Sequence, residues 1–176
     1  MNIDKAKEIV EKAVKDASFV IGLDFIDIEY LPGNRFASDD VSSMFDRYVY
    51  IIKWNMAWLE KATKEEIMLN AYYQVRIGYQ QAQVEFREKL IDEEIYVEEE
   101  ELVKTWEEEF SYYTELTGNE LDDMGYMNQE TVIDAVSFAY IMYRDYHFKE
   151  LNIPASIYDK VKARVEVILA KEELMI

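Results

Sequence analysis

The chain has 176 residues, half of them apolar and 14% aromatic, which excludes a wholly disordered protein and gives one domain over residues 1–176 enough material for a core. It has no cysteine and one histidine, His147, which excludes disulfides, thiol nucleophiles and a zinc site built on Cys or on paired His. The formal net charge of -18 argues against nucleic acid and anionic membranes as direct partners and points to a basic protein instead.

In chain order, Ile3, Ala6, Ile9 (or Val10), Ala13 and Ala17 recur at helical spacing between Lys and Glu, which predicts an amphipathic first helix over 3–17. The same charged N-terminus lacks the apolar centre of a signal peptide, and no later run approaches the roughly 20 apolar residues of a membrane span. The expectation is a soluble, cytoplasmic protein.

Phe25, Ile26, Ile28 and Tyr30 read as a strand, and Leu31-Pro32-Gly33-Asn34 as the turn that ends it. Arg47 to Asn55 is rich in β-branched and aromatic residues and reads as a second strand. Thr63 with Glu66 makes a capping box for a long helix running to about Lys89. A further helix is expected from about Glu99, broken at Thr117-Gly118-Asn119. Asn128 is placed to cap the helix QETVIDAVSFAYIMYRDYHF, and Pro154 suits the first turn of a last helix reaching about Lys171. Two or three early strands followed by several helices give an α+β class, helix-rich, with a small early β-sheet.

Several of these segments carry a resemblance when taken together. Asn55 ends a strand, and the following helix carries Tyr73-Gln74-x-Arg76-Ile77-x-Tyr79-Gln80. TWEEEFSYY lies downstream, and then VIDAVSFA, which contains Asp134, Ala135, Phe138 and Ala139. The layout resembles the minimal zincin-like metallopeptidases of phages and mobile elements of Gram-positive bacteria. Their helix reads His-Glu-x-Arg-His-x-Tyr-Gln, and their second helix reads Glu-x-Asp-Ala-x-x-Phe-Ala. The similarity runs from about residue 20 to about residue 165.

The resemblance implies a zincin-like fold, and its departures imply loss of the activity. Tyr73 stands at the first histidine position, Gln74 at the general-base glutamate, Ile77 at the second histidine and Val132 at the third ligand. A metallopeptidase needs two ligands at i and i+4, a third from another element, and a base for the water. Ile77 and Val132 have no donor atom, and Gln74 cannot accept a proton at neutral pH. These four positions mark a vestigial site, with no metal, no cofactor and no catalytic residue implied. Asp134 is expected to support the helix pair by a hydrogen bond. His147 is expected near a helix end, where a positive charge is favoured, and no Gly-x-Ser-x-Gly elbow accompanies it.

The charge is concentrated. Asp92 to Asp123 holds 14 acidic residues and one basic residue, Lys104, a net of -13 over 32 positions. A solvated face is the plain reading of such a run. The sharper one is a surface that imitates nucleic-acid phosphates. Glu98, Glu99, Glu100, Glu101, Glu107, Glu108 and Glu109 would then engage a basic, nucleic-acid-binding host factor, with Trp106 among the interleaved aromatics Tyr96, Tyr112 and Tyr113 as anchors. The stretch DEEIYVEEEE lacks the Gly and the Asp/Asn alternation of a calcium loop.

The expected function is therefore a non-catalytic pseudo-metallopeptidase acting as an acidic inhibitor, with a phage anti-defence, anti-CRISPR-like role suggested by the resemblance. Two other readings stay open. One is a metal-dependent hydrolase with relocated ligands, built on carboxylates and His147. The other is a regulatory dimer that associates through exposed aromatics.

Overall fold

The computed structural model describes residues 1–23, 26–92, 97–112 and 125–174. Its elements are helix α1 (Ile3–Val20), strand β1 (Asp27–Leu31), a short 3-10 turn (Gly33–Arg35), strands β2 (Ser43–Asp46) and β3 (Ile51–Asn55), and helices α2 (Met56–Lys61), α3 (Lys64–Glu85), α4 (Arg87–Asp92), α5 (Glu100–Ser111), α6 (Glu130–His147) and α7 (Tyr158–Leu174). The class is α+β, helix-rich, with one small mixed sheet.

The sheet has the order β1-β3-β2, with β1 parallel and β2 antiparallel to the central β3. Ile52 and Trp54 of the central β3 are fully buried, because, two residues apart, they share the sheet face that packs into the main core. β3 begins four residues later than the sequence pattern suggests. Arg47 to Tyr50 form a turn in which the Asp46 carboxylate accepts from the Tyr48 amide at 3.1 Å, and this local bond outcompetes β-propensity. β2 was not foreseen, since four residues containing Ser and Asp carry little strand signal. Phe25, expected at the start of β1, lies outside the described residues.

Asn55 joins sheet to helix. It is fully buried; its side-chain oxygen accepts from the amides of Ala57 at 2.9 Å and Trp58 at 3.4 Å, capping α2. Its side-chain amide donates to the carbonyls of Val41 at 2.8 Å and Ser38 at 3.3 Å, so every polar atom of this buried side chain is satisfied.

The capping box at Thr63 and Glu66 forms as expected, with the Glu66 amide donating to Thr63 Oγ1 at 3.2 Å and the Thr63 amide to Glu66 Oε2 at 2.7 Å. α3 then runs to Glu85 rather than to Lys89. The chain bends where Phe86 packs on Tyr50, with ring centroids 5.5 Å apart, and where Arg87 donates to the Glu98 carbonyl at 2.9 Å. Gly78 lets α3 approach the sheet, because a Cβ there would stand 2.9 Å from the Phe45 ring and 3.0 Å from Ile26.

The main core is formed by α1, the sheet, α2, α3 and one side of α6, through residues such as Val10, Trp54, Leu59, Ile67, Val75 and Phe138. A second cluster, with Ile133, Ile141, Ile157 and Val161, seals the other side of α6 against α7. α6 is consequently buried from Thr131 to Tyr143 except at Val136, as a helix packed on two sides must be. A third cluster seats Val103 and Trp106 of α5 on Tyr79 of α3.

α6 begins after Gln129, not at an Asn128 cap, and Gln129 makes no side-chain cap bond. The last helix starts at Tyr158, one turn after Pro154, whose carbonyl accepts from the Ile157 amide at 3.1 Å. The break expected at Thr117-Gly118-Asn119 lies outside the described residues.

Candidate functional site

Helix α3 carries a row of polar residues on the side that meets α6 and α7. Arg76 is 4% exposed, and its guanidinium forms a two-pronged pair with Asp134, Nε to Oδ2 at 2.7 Å and Nη2 to Oδ1 at 3.1 Å. Gln80 donates to Asp134 Oδ2 at 2.7 Å and to the Thr131 carbonyl at 3.0 Å. Arg164 of α7 donates through Nε to Asp134 Oδ1 at 2.7 Å. The second carboxylate of the group, Glu98, receives Lys171 at 2.8 Å, Arg76 at 3.3 Å and the Tyr79 hydroxyl at 3.3 Å. The Glu98 amide donates to Gln83 Oε1 at 2.9 Å.

The electrostatics follow from burial. Burial alone would raise the Asp134 pKa, but the charges and hydrogen bonds of Arg76, with Arg164 and Gln80 behind it, outweigh that and hold it below its usual value. Burial likewise opposes the charge on Arg76, and Asp134 overcomes it, so the guanidinium is held more firmly protonated than in water. Two carboxylates from two segments thus meet three cations from two helices. This cluster clamps α3, α6, α7 and the segment before α5 together.

The former ligand positions implied by the resemblance are occupied as follows. The Tyr73 hydroxyl meets the Tyr126 hydroxyl at 3.0 Å. Gln74 is buried and donates to the Ser43 carbonyl of β2 at 3.4 Å. Ile77 is half-buried and Val132 is 4% exposed. The supporting hydrogen bond expected of Asp134 is present, but as part of a multivalent ion cluster. That cluster was not foreseen, since nothing in the spacing of Arg164 or Lys171 links them to Asp134 or Glu98.

Among the described residues, no three His, Asp or Glu side chains converge as metal ligands would. His147, the histidine of the relocated-ligand reading, is the last residue of α6, with its ring against Tyr143 at a centroid separation of 4.8 Å. Its Nε2 is buried without a hydrogen bond. Burial, then Lys64 and Lys149, lower its pKa, opposing the positive charge that a helix end favours.

The acidic segment divides into inside and outside. Glu98 is 4% exposed and belongs to the ion cluster, so it is no part of a surface. Trp106 is fully buried in the third cluster, so it packs α5 and offers no external anchor. Glu109 faces inward: its two oxygens accept from the amides of Glu130 at 2.7 Å and Thr131 at 2.8 Å, capping α6 from a neighbouring helix. Glu99, Glu100, Glu101, Glu107 and Glu108 are exposed. The four of these on α5 recur at i, i+1, i+7 and i+8, two pairs two turns apart on one face, with Lys104 between the pairs bonding Glu100 at 2.6 Å. Tyr112, at the end of α5, is 82% exposed. Tyr96 and Tyr113 lie outside the described residues.

No family model, no curated protein and no solved structure matches the chain.

Proposed function

We propose that this chain is a non-catalytic interaction protein that binds a basic, nucleic-acid-handling protein through the exposed glutamates of α5. The observation that carries the reading is the division of α5: Val103 and Trp106 face the core while Glu100, Glu101, Glu107 and Glu108 form one solvent-facing acidic stripe. Negative groups held in a row on a rigid helix suit a groove that otherwise holds phosphates.

The scaffold is read as zincin-like with its metal site lost. Tyr73, Gln74, Ile77 and Val132 stand at the ligand and base positions of that family, and the two buried carboxylates among the described residues, Asp134 and Glu98, are already engaged by cations. A carboxylate satisfied by Arg and Lys is neither a free metal ligand nor a base. By analogy with the phage and mobile-element setting of the family, the role is anti-defence, with a CRISPR effector as the type of target.

The test is a binding series. Purified nucleic-acid-free CRISPR effectors are titrated with the wild-type protein and with the variant Glu100→Lys, Glu101→Lys, Glu107→Lys, Glu108→Lys at rising salt. The reading expects binding that competes with nucleic acid, weakens with salt and is lost in the variant. Binding indifferent to both salt and charge reversal contradicts it, and a salt-insensitive homodimer favours the regulatory reading instead.

A further inference from the structure

The turn between β2 and β3 holds apolar groups out in water. The Asp46 carboxylate accepts from the Tyr48 amide at 3.1 Å and from the Lys53 ammonium at 2.6 Å, which fixes the turn at both ends. Tyr50 follows with φ of 54°, a left-handed conformation uncommon for an aromatic residue. It is secured by an edge-on contact with Phe45 at 5.4 Å, a tilted contact with Phe86 at 5.5 Å, and a hydrogen bond from its hydroxyl to Glu85 at 3.4 Å. The result leaves Tyr48 and Val49 82% and 55% exposed. A strained turn, anchored this firmly, that displays an aromatic ring is a feature found where chains meet ligands.

The turn is tied to α5. Arg47 donates to the Phe110 carbonyl at 3.5 Å and to the Tyr48 hydroxyl at 3.1 Å, with its guanidinium 5.0 Å from the centre of the Tyr48 ring. Phe110 lies two residues before Tyr112, and Tyr112 follows Glu108 by one helical turn, its amide donating to the Glu108 carbonyl at 3.2 Å. The turn that bears Tyr48 is therefore joined through Arg47 to the last turn of α5, and the acidic stripe on that helix ends one turn before the exposed Tyr112.

We infer that Tyr48 and Tyr112 form an aromatic clamp for arginine side chains of a basic protein lying along the α5 glutamates, an inference that rests on the reading of α5 as the partner-binding face. The planar guanidinium stacks on tyrosine while the carboxylates neutralise it, which an ammonium does less well. Charge selects the occupant: a second copy of this chain would bring the same glutamates against their like, whereas an arginine-bearing segment complements them.

The probes are an oligo-arginine peptide and an oligo-lysine peptide of equal length, titrated at low salt and read by fluorescence anisotropy. Wild type, Tyr48→Ala/Tyr112→Ala and the four-glutamate reversal are compared, with thermal melts confirming that each is folded. Both rings are more than four-fifths exposed, so their removal leaves the core intact. The clamp predicts tighter binding of the arginine peptide by wild type. It also predicts a loss of roughly tenfold for that peptide in the tyrosine variant, with the arginine preference gone. The glutamate reversal weakens both peptides. If the tyrosine variant keeps the preference while the reversal still weakens both, the clamp is overturned and the acidic face stands. If neither peptide binds, or the reversal changes nothing, both fall.

Discussion

Arg76 and Asp134 face each other across the α3–α6 interface in a two-pronged ion pair, 2.7 Å and 3.1 Å long, with both side chains almost fully buried. The pair sits at the centre of the Arg164, Glu98 and Lys171 cluster, so removing either member strands charges that water cannot reach. Arg76→Ala or Asp134→Ala is expected to destabilise the protein by about 3–5 kcal/mol, measured by urea unfolding. A loss under about 1 kcal/mol would mean that the cluster rearranges and does not clamp the helices.

The same pair sets an acid limit. The folded pKa of Asp134 lies below its ordinary value of 3.8, so its contribution is fully present above that value and is lost as pH falls through the lower folded one. Thermal stability in citrate should fall below about pH 4, and Asp134→Asn should flatten that part of the profile while lowering stability at neutral pH.

His147 gives a second pH step of its own. Its pKa is lowered by burial and by Lys64 and Lys149, while Glu65 pulls the other way. The unfolded chain therefore binds a proton before the folded one does. The stability contributed by the neutral ring is complete above about pH 6.5 and declines as pH falls from there toward the lower folded value. Melting temperature followed between pH 7.5 and 5 should show this decline in wild type and less of it in His147→Gln.

Trp106 and Glu109 separate inside from outside on α5. Trp106→Ala is expected to cost about 3–5 kcal/mol, as for a fully buried aromatic. Glu109→Ala removes the cap on α6 and should cost about 1 kcal/mol. Glu101→Ala and Glu108→Ala, on the exposed stripe, should each stay within about 0.5 kcal/mol of wild type. Equal losses at Glu108 and Glu109 would contradict the division of the helix.

The elements were largely legible because they rest on local signals: the apolar spacing of α1, the Thr63–Glu66 box and the β-branched run of β3. What was not legible depends on meetings at long range. Glu98 and Glu109 sit in a run of identical residues, and only the tertiary positions of Lys171 and of the α6 N-terminus turn them inward. Trp106 read as a surface anchor because its neighbours are glutamates, although its spacing from Val103 marks a buried stripe. Tyr50 and the turn before β3 were hidden because a side-chain bond from Asp46 overrode strand propensity. In the candidate site, Arg76 and Asp134 stood out through the family pattern, whereas their partners Arg164 and Lys171 lie on a helix that the pattern barely reaches.

The proposed scaffold without a catalytic metal is tested most directly by zinc content, measured by elemental mass spectrometry on protein purified from zinc-supplemented medium, with melting followed with and without a chelator. The expected result is below roughly 0.1 equivalent of zinc per chain and an unchanged melting temperature on chelation. Close to one equivalent, lost with a fall in stability on chelation, would contradict it and return the hydrolase with relocated ligands to first place.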